Sequence, residues 1–212
     1  MSLPHGVFIS FEGSEGCGKT TQIQRLAARL EAAGQPVLLT REPGGTALGD
    51  EIRQMLLRVQ GEAPTPRTEA LLYQAGRAQH VDSVIRPALQ AGQWVLSDRY
   101  DASSLAFQVA GRALQRSQID WLNNFATAGL KADLYVLLDL TVEDSMSRLQ
   151  GRGQEVDRFE RESQAFHEKV RQAYLSLSKE DSGRWLVLSA RLSPTELLQK
   201  LLHELEVRQW LV

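Results

Sequence analysis

Eight residues near the start of the chain, Gly13-Ser14-Glu15-Gly16-Cys17-Gly18-Lys19-Thr20, most narrowly limit what it can fold into. They follow the apolar run Val7-Phe8-Ile9-Ser10-Phe11 and open a helical pattern predicted over residues 21–33. The spelling G-x-x-x-x-G-K-[ST], set between a strand and a helix, is that of a phosphate cradle. Gly13 and Gly18 reach backbone angles closed to other residues, so successive N–H groups turn inward around a phosphate. The following helix directs the positive end of its dipole to the same point. Lys19 adds a point charge for β- and γ-phosphates, and the Thr20 hydroxyl is the expected Mg²⁺ ligand, with Thr21 beside it. At average residue usage the spelling arises by chance in roughly one 200-residue chain per hundred, which favours the cradle over a bland glycine turn.

Around this loop, apolar runs at 7–12, 36–40, 94–98, 134–139 and 185–188 alternate with longer helical patterns. Such alternation predicts an α/β fold: a five-stranded parallel sheet with helices on both faces, each strand buried on both sides. A length of 212 residues fits one domain over 1–212. The formal charge of −2 and a pI near 6.1 speak against a nucleic-acid coat or a polybasic membrane anchor. No apolar run approaches the ~18 residues of a membrane span, and no signal segment is evident. The single cysteine, Cys17, excludes an internal disulfide, so the cytoplasm is the expected compartment.

Ligands of such sheets bind beyond the carboxyl ends of the strands, so what each strand delivers matters most. The first delivers the cradle, where inward N–H groups could lower the Cys17 thiol pKa. The plainer reading is a small residue tolerated in a tight loop. The second ends in Arg41-Glu42-Pro43-Gly44-Gly45, stiff at Pro43 and sharply turned before a helix at Ala47–Leu57. Charges at the mouth of a phosphate site give this turn, with Arg41 and Pro43, a binding role. A long helical pattern over 67–91 carries Tyr73 and Arg77 on one side, where a ring and a guanidinium could meet one ligand. A core Tyr and a solvated Arg are the alternative.

The third strand ends in Asp98-Arg99-Tyr100, and an acid in that place suits Mg²⁺. Ser103, Ser104 and Gln108, with Phe107 among them, offer the short polar handles and aromatic wall of a base pocket. Asp139, after the fourth strand, rivals Asp98 as metal ligand but lacks the adjacent Arg. Residues 148–160, with Arg152 between Gly151 and Gly153, read either as a solvated loop or as a closing lid. Helical patterns at 117–128, 160–179 and 194–207 complete the scaffold.

Gly13 to Thr20, Arg41-Glu42-Pro43-Gly44-Gly45, Asp98-Arg99-Tyr100 and Asp157-Arg158-Phe159-Glu160 stand in the order and spacing of thymidylate kinases. The chain resembles that family over about residues 7–174. The resemblance implies a P-loop NTPase fold of the nucleoside-monophosphate-kinase kind, with a lid. It implies transfer of the γ-phosphoryl of ATP to dTMP, giving dTDP for dTTP synthesis, with Mg²⁺. By position it gives Lys19 and Thr20 the donor phosphates and metal, and places Glu15 between the substrates. Arg41 and Arg99 match the clamps on the acceptor phosphate. Tyr73 stands where the family usually stacks a Phe on thymine, Arg77 and Ser104 match contacts to the base edge, and Phe107 falls near the deoxyribose. Gly16 and Arg152 resemble the bacterial subtype, whose basic residue sits in the lid rather than the loop, with Arg158 supporting or anchoring it. The family is commonly a homodimer, for which the third helix could supply a face.

Two other readings are weaker. A deoxynucleoside kinase would take an uncharged hydroxyl, whereas Arg41 and Arg99 suit a phosphate. A GTP-dependent switch protein needs an Asn-Lys-x-Asp sequence, which is absent.

Overall fold

The computed structural model describes residues 6–150 and 157–211. Five strands, β1 (Phe8–Glu12), β2 (Val37–Arg41), β3 (Trp94–Asp98), β4 (Leu134–Asp139) and β5 (Trp185–Ser189), form one parallel sheet in the order β2-β3-β1-β4-β5. The cradle strand is therefore central, with Phe8 opposite Val95 and Ile9 opposite Leu134 on its two sides. Its alternating side chains feed two cores. Ile9 and Phe11 pack with helices α1 (Lys19–Ala32) and α9 (Pro194–Val207), whereas Phe8 packs on the opposite face. That second core holds Val81, Ile85, Tyr100, Phe107 and, from α8 (Gln164–Glu180), Phe166, Val170 and Tyr174.

Strands β1, β3 and β4 are buried almost throughout, as apolar runs predict. The two edge strands are not: Leu39 is 46% and Val187 44% exposed, because each strand has a neighbour on one side only. Helix limits follow the caps. Thr46 accepts from Gly49 N–H and starts α2 (Ala47–Leu57), and a reciprocal Ser193–Glu196 capping box starts α9. Ser163 caps α8, so the pattern expected from 160 begins as helix only at Gln164.

The long pattern over 67–91 breaks into α3 (Pro66–His80), a π-helical turn (Val81–Ile85) and α4 (Arg86–Gln90). Pro87 accounts for the break: it lacks an N–H, and its ring would strike the carbonyl four residues earlier in a regular helix. A second π segment, Leu105–Gly111, follows the short helix α5 (Asp101–Ser104). Helices α6 (Arg116–Thr127) and α7 (Val142–Gln150) complete the layers.

Candidate active site

The cradle forms as its glycines require, with φ of 131° at Gly13, 71° at Gly16 and 97° at Gly18. A side chain at Gly13 would lie 2.6 Å from the Leu138 carbonyl oxygen, so the loop also needs glycine for its seat against β4. Lys19 Nζ donates to the Ser14 carbonyl at 3.0 Å, and Thr20 Oγ1 donates to Asp98 Oδ2 at 3.0 Å. Helix α7 braces the loop, through Ser145 Oγ to the Glu15 carbonyl and Arg148 to the Gly16 carbonyl. Ser14 is buried and Thr21 exposed on α1.

Cys17 departs from the reactive reading. Its side chain is buried in the core formed by Ile9, Phe11 and Leu138, and burial pushes the thiol up despite the nearby Lys19 charge. The loop's N–H groups therefore do not activate it.

Arg99 follows β3 with φ of 75°, a left-handed angle that folds its side chain back over the cradle. Its guanidinium pairs with Glu15, donates to the Gly13 carbonyl at 2.9 Å and to Tyr174 Oη at 3.1 Å, and lies 5.1 Å over the Phe107 ring. Burial alone would raise the Glu15 carboxyl, but the Arg99 and Lys19 charges overcome it and hold the group at about 2. Beneath Arg99, Glu12 is fully buried and accepts from Ser10, Ser103, Tyr174 and the Tyr100 N–H. Burial raises its pKa despite those donors.

A cavity of about 750 Å³ runs from Glu15, Thr20 and Asp98 past Arg41, Pro43 and Arg99 to Tyr73, Arg77, Ser103, Ser104, Phe107 and Gln108. The structure thus gathers the cradle mouth and the expected acceptor residues around one space. Tyr73 and Phe107 both meet Phe159 edge-on, at 6.3 and 5.6 Å between centroids, and burial pushes the Tyr73 phenol up. Arg41 is open to the cavity mouth, with its side chain 57% exposed and Asp50 3.7 Å away.

Arg77 is neither a solvated Arg nor a loose ligand group. Its side chain is 1% exposed, and Nε donates to Glu42 Oε2 at 2.7 Å. The Nη1 group donates to Asn123 Oδ1 and Ser104 Oγ, and Nη2 to the Tyr100 carbonyl. Gln108 reaches Glu69 at 2.8 Å. Glu69 also pairs with Arg158, whose Nε donates to the Leu56 carbonyl; Arg158 is thus held against α2 and α3 and does not line the cavity. Arg152 lies outside the described residues. Asp139 is engaged by Arg171 through both oxygens and does not line the cavity, whereas Asp98 does.

Sequence reasoning missed Glu12, Asn123 and His80, which meets Glu42 at 3.1 Å. It also missed Arg53, which lines the cavity and donates to the Pro43 carbonyl, while Glu42 and Phe159 entered only as members of longer motifs. An acid closing an otherwise apolar strand was the available signal for Glu12. The other polar groups gain meaning only once distant elements meet.

Comparison with known proteins decides the family. The thymidylate kinase family pattern matches residues 11–201. A thymidylate kinase of Bdellovibrio bacteriovorus is 55% identical over 206 residues, covering 95% of this chain and 96% of that protein. The chain belongs to the thymidylate kinase family. A further thymidylate kinase, from Trichlorobacter lovleyi, is 47% identical over 195 residues, covering 90% of this chain and 92% of its own. In three dimensions the fold is similar to a crystal structure of thymidylate kinase from Ehrlichia chaffeensis, with a TM-score of 0.77 at 28% identity. That match covers 95% of this chain and 100% of the other. The five-stranded sheet and its loop are those of a P-loop nucleoside-monophosphate kinase.

Proposed function

We propose that this thymidylate kinase transfers the γ-phosphoryl of ATP to dTMP, giving dTDP. The observation that carries the reading is the single cavity joining Thr20 and Asp98 at the phosphate cradle to Arg41, Arg77 and an aromatic wall. Phosphoryl transfer needs little covalent help. Two phosphates must be brought in line, their charge offset and water excluded.

In this reading the cradle N–H groups and Lys19 hold the donor phosphates. Arg41 and Arg99 take the acceptor phosphate, with Glu15 fixing Arg99 at the junction between the substrates. Tyr73 and Phe107 flank the base and sugar, while Arg77, Ser103, Ser104 and Gln108 form the polar wall. The residues at the cradle suit Mg²⁺: Thr20 and Asp98 bring a hydroxyl and a carboxylate 3.0 Å apart, the hard oxygen donors this ion takes beside phosphates. When bound, the ion offsets charge on the donor phosphates. Arg152 is assigned from its sequence position to the transferring phosphoryl group, since Gly16 leaves the loop without a second cation.

Release of ADP across a panel of nucleoside monophosphates tests the reading. Turnover should be highest with dTMP, and absent with thymidine. Equal turnover with AMP or CMP sinks it.

A second copy of the chain is the proposed partner. Leu71 on α3 is 56% exposed, and Trp121 and Phe125 on α6 are 64% and 73% exposed and stacked on each other. Beside them an apolar groove of about 410 Å³ runs between Leu71, Leu114, Ile119 and Leu122. Such a continuous face suits a self-complementary two-fold contact. Sedimentation should give a dimer that the double variant Trp121→Glu, Phe125→Glu dissociates; a native monomer at micromolar concentration refutes it. No helix among the described residues is long and apolar enough to cross a membrane. The cytoplasm is the proposed location, in keeping with a single reduced thiol.

A further inference from the structure

Beneath the Arg41–Gly45 turn lies His80, the last residue of α3, with no exposed surface. Its Nδ1 is 3.1 Å from Glu42 Oε1, and its Nε2 is 2.6 Å from Thr40 Oγ1. The turn rests directly on the ring: a Cβ at Gly45 would lie 2.5 Å from Nε2. The other oxygen of Glu42 receives Arg77 Nε at 2.7 Å. One imidazole thus touches both neighbours of Arg41 in the chain, Thr40 and Glu42, and the second of these carries the carboxylate that aims Arg77.

We propose that His80 is a positioning residue for the acceptor site, setting the clamp turn and the base-reading guanidinium in one register. This rests on the reading above that Arg41 and Arg77 serve the acceptor.

The chemistry fixes most of the arrangement. Burial alone would raise the Glu42 carboxyl, but the Arg77 charge and the His80 contact hold it below its ordinary value. An ionised carboxylate only accepts, so Nδ1 carries a proton and donates. Nε2 then meets the Thr40 hydroxyl, which serves as either donor or acceptor. Glu42 has two separate duties, one oxygen for each partner. Without the imidazole, the buried Glu42 Oε1 and the half-buried Thr40 Oγ1 each lose a hydrogen bond, and the turn loses the surface it rests on. Glu42 is then free to pivot about its contact with Arg77. Among the described residues the ring's own hydrogen bonds go to Glu42 and Thr40 and none goes to the cradle, so the effect should fall on the acceptor end.

The test is steady-state kinetics with ATP and dTMP varied separately in His80→Leu, His80→Asn and His80→Gln. In His80→Leu, KM for dTMP should rise about ten-fold, as loss of a buried hydrogen bond implies, with KM for ATP nearly unchanged. The Asn amide can reach Glu42 where Nδ1 does, whereas the Gln amide reaches toward Thr40 where Nε2 does. Asn should therefore lie closer to the native KM for dTMP than Gln. If His80→Leu does not fold, the Asn and Gln pair carries the comparison. In the native protein, ¹⁵N spectra of labelled histidine should show Nδ1 protonated.

Equal rises in both KM values overturn the proposal, as do indistinguishable Asn and Gln variants or an unprotonated Nδ1. If dTMP is not the preferred acceptor, the functional reading fails and this inference falls with it. If dTMP is preferred but its KM ignores His80, only the inference falls.

Discussion

At the base end of the cavity Arg77 has 1% of its side chain exposed and is held by Glu42, Ser104, Asn123 and the Tyr100 carbonyl. At the phosphate end Arg41 has 57% exposed, with Asp50 3.7 Å away as its nearest ion-pair partner. The two guanidiniums proposed above to serve one small molecule are thus prepared differently. A base is planar and carries few hydrogen-bonding groups, so reading it depends on donors already fixed in place. A phosphate brings its own charge, which can draw an exposed cation into position. Arg99 stands between these limits. It is tethered by Glu15, Tyr174 and the Gly13 carbonyl, yet it lines the same cavity.

The comparison is most exposed to failure at Arg77. Arg77→Ala strands Glu42 in the interior and should destabilise the fold by about 3–5 kcal/mol. Arg41→Ala should change stability by less than about 0.5 kcal/mol while raising KM for dTMP. Equal stability losses in urea unfolding would erase the distinction. Lys19→Ala probes the cradle, where the loss should be chemical: kcat should fall about 10²–10³-fold with the unfolding midpoint little moved. Near-normal turnover in a folded variant removes the phosphate-loop argument.

Discrimination at the fixed end should be smaller. The methyl that separates dTMP from dUMP supplies about 1–3 kcal/mol in an apolar pocket, roughly ten- to 200-fold in kcat/KM. Comparable values for the two substrates contradict a pocket closed by Tyr73, Phe107 and Phe159.

The smallest expected effect concerns pH. Because the folded Glu15 carboxyl is depressed to about 2 from an ordinary 4.5, its pairing with Arg99 is fully present above the ordinary value. It is lost only as pH falls through about 2. The Glu15–Arg99 pair should therefore leave activity unchanged between pH 7 and 5. A Glu15→Gln variant that abolishes an acid limb in that window refutes the assignment.

The sequence made the scaffold legible wherever a local signal sufficed. The capped helices Ala47–Leu57 and Pro194–Val207 stand where turn chemistry places them. The two π segments were not legible, because hydrophobic spacing near 3.6 tolerates one wide turn without losing its stripe. The cradle and the Asp98-Arg99 pair were equally plain from residue type. Glu42, His80 and Asn123 were not, since each acts across 35 or more positions of chain, as in the Glu42–Arg77 contact. Arg77 itself read as either a ligand group or a solvated Arg, and it lines the cavity from within the core. For Cys17 the plainer reading, a small residue in a tight loop, fits the apolar wall beneath it, which the loop's own sequence does not show.

The Trp121–Phe125 stack has an optical consequence. Of the four tryptophans, Trp94 is buried, Trp185 and Trp210 are half-covered, and Trp121 alone is mostly in water. A dissolved iodide ion should therefore dim the emission of Trp121 far more than that of the others. Held against another surface, the same indole should emit at shorter wavelength and escape the quencher. The colour of the fluorescence thus reports whether this face is wet or covered, without any label on the chain.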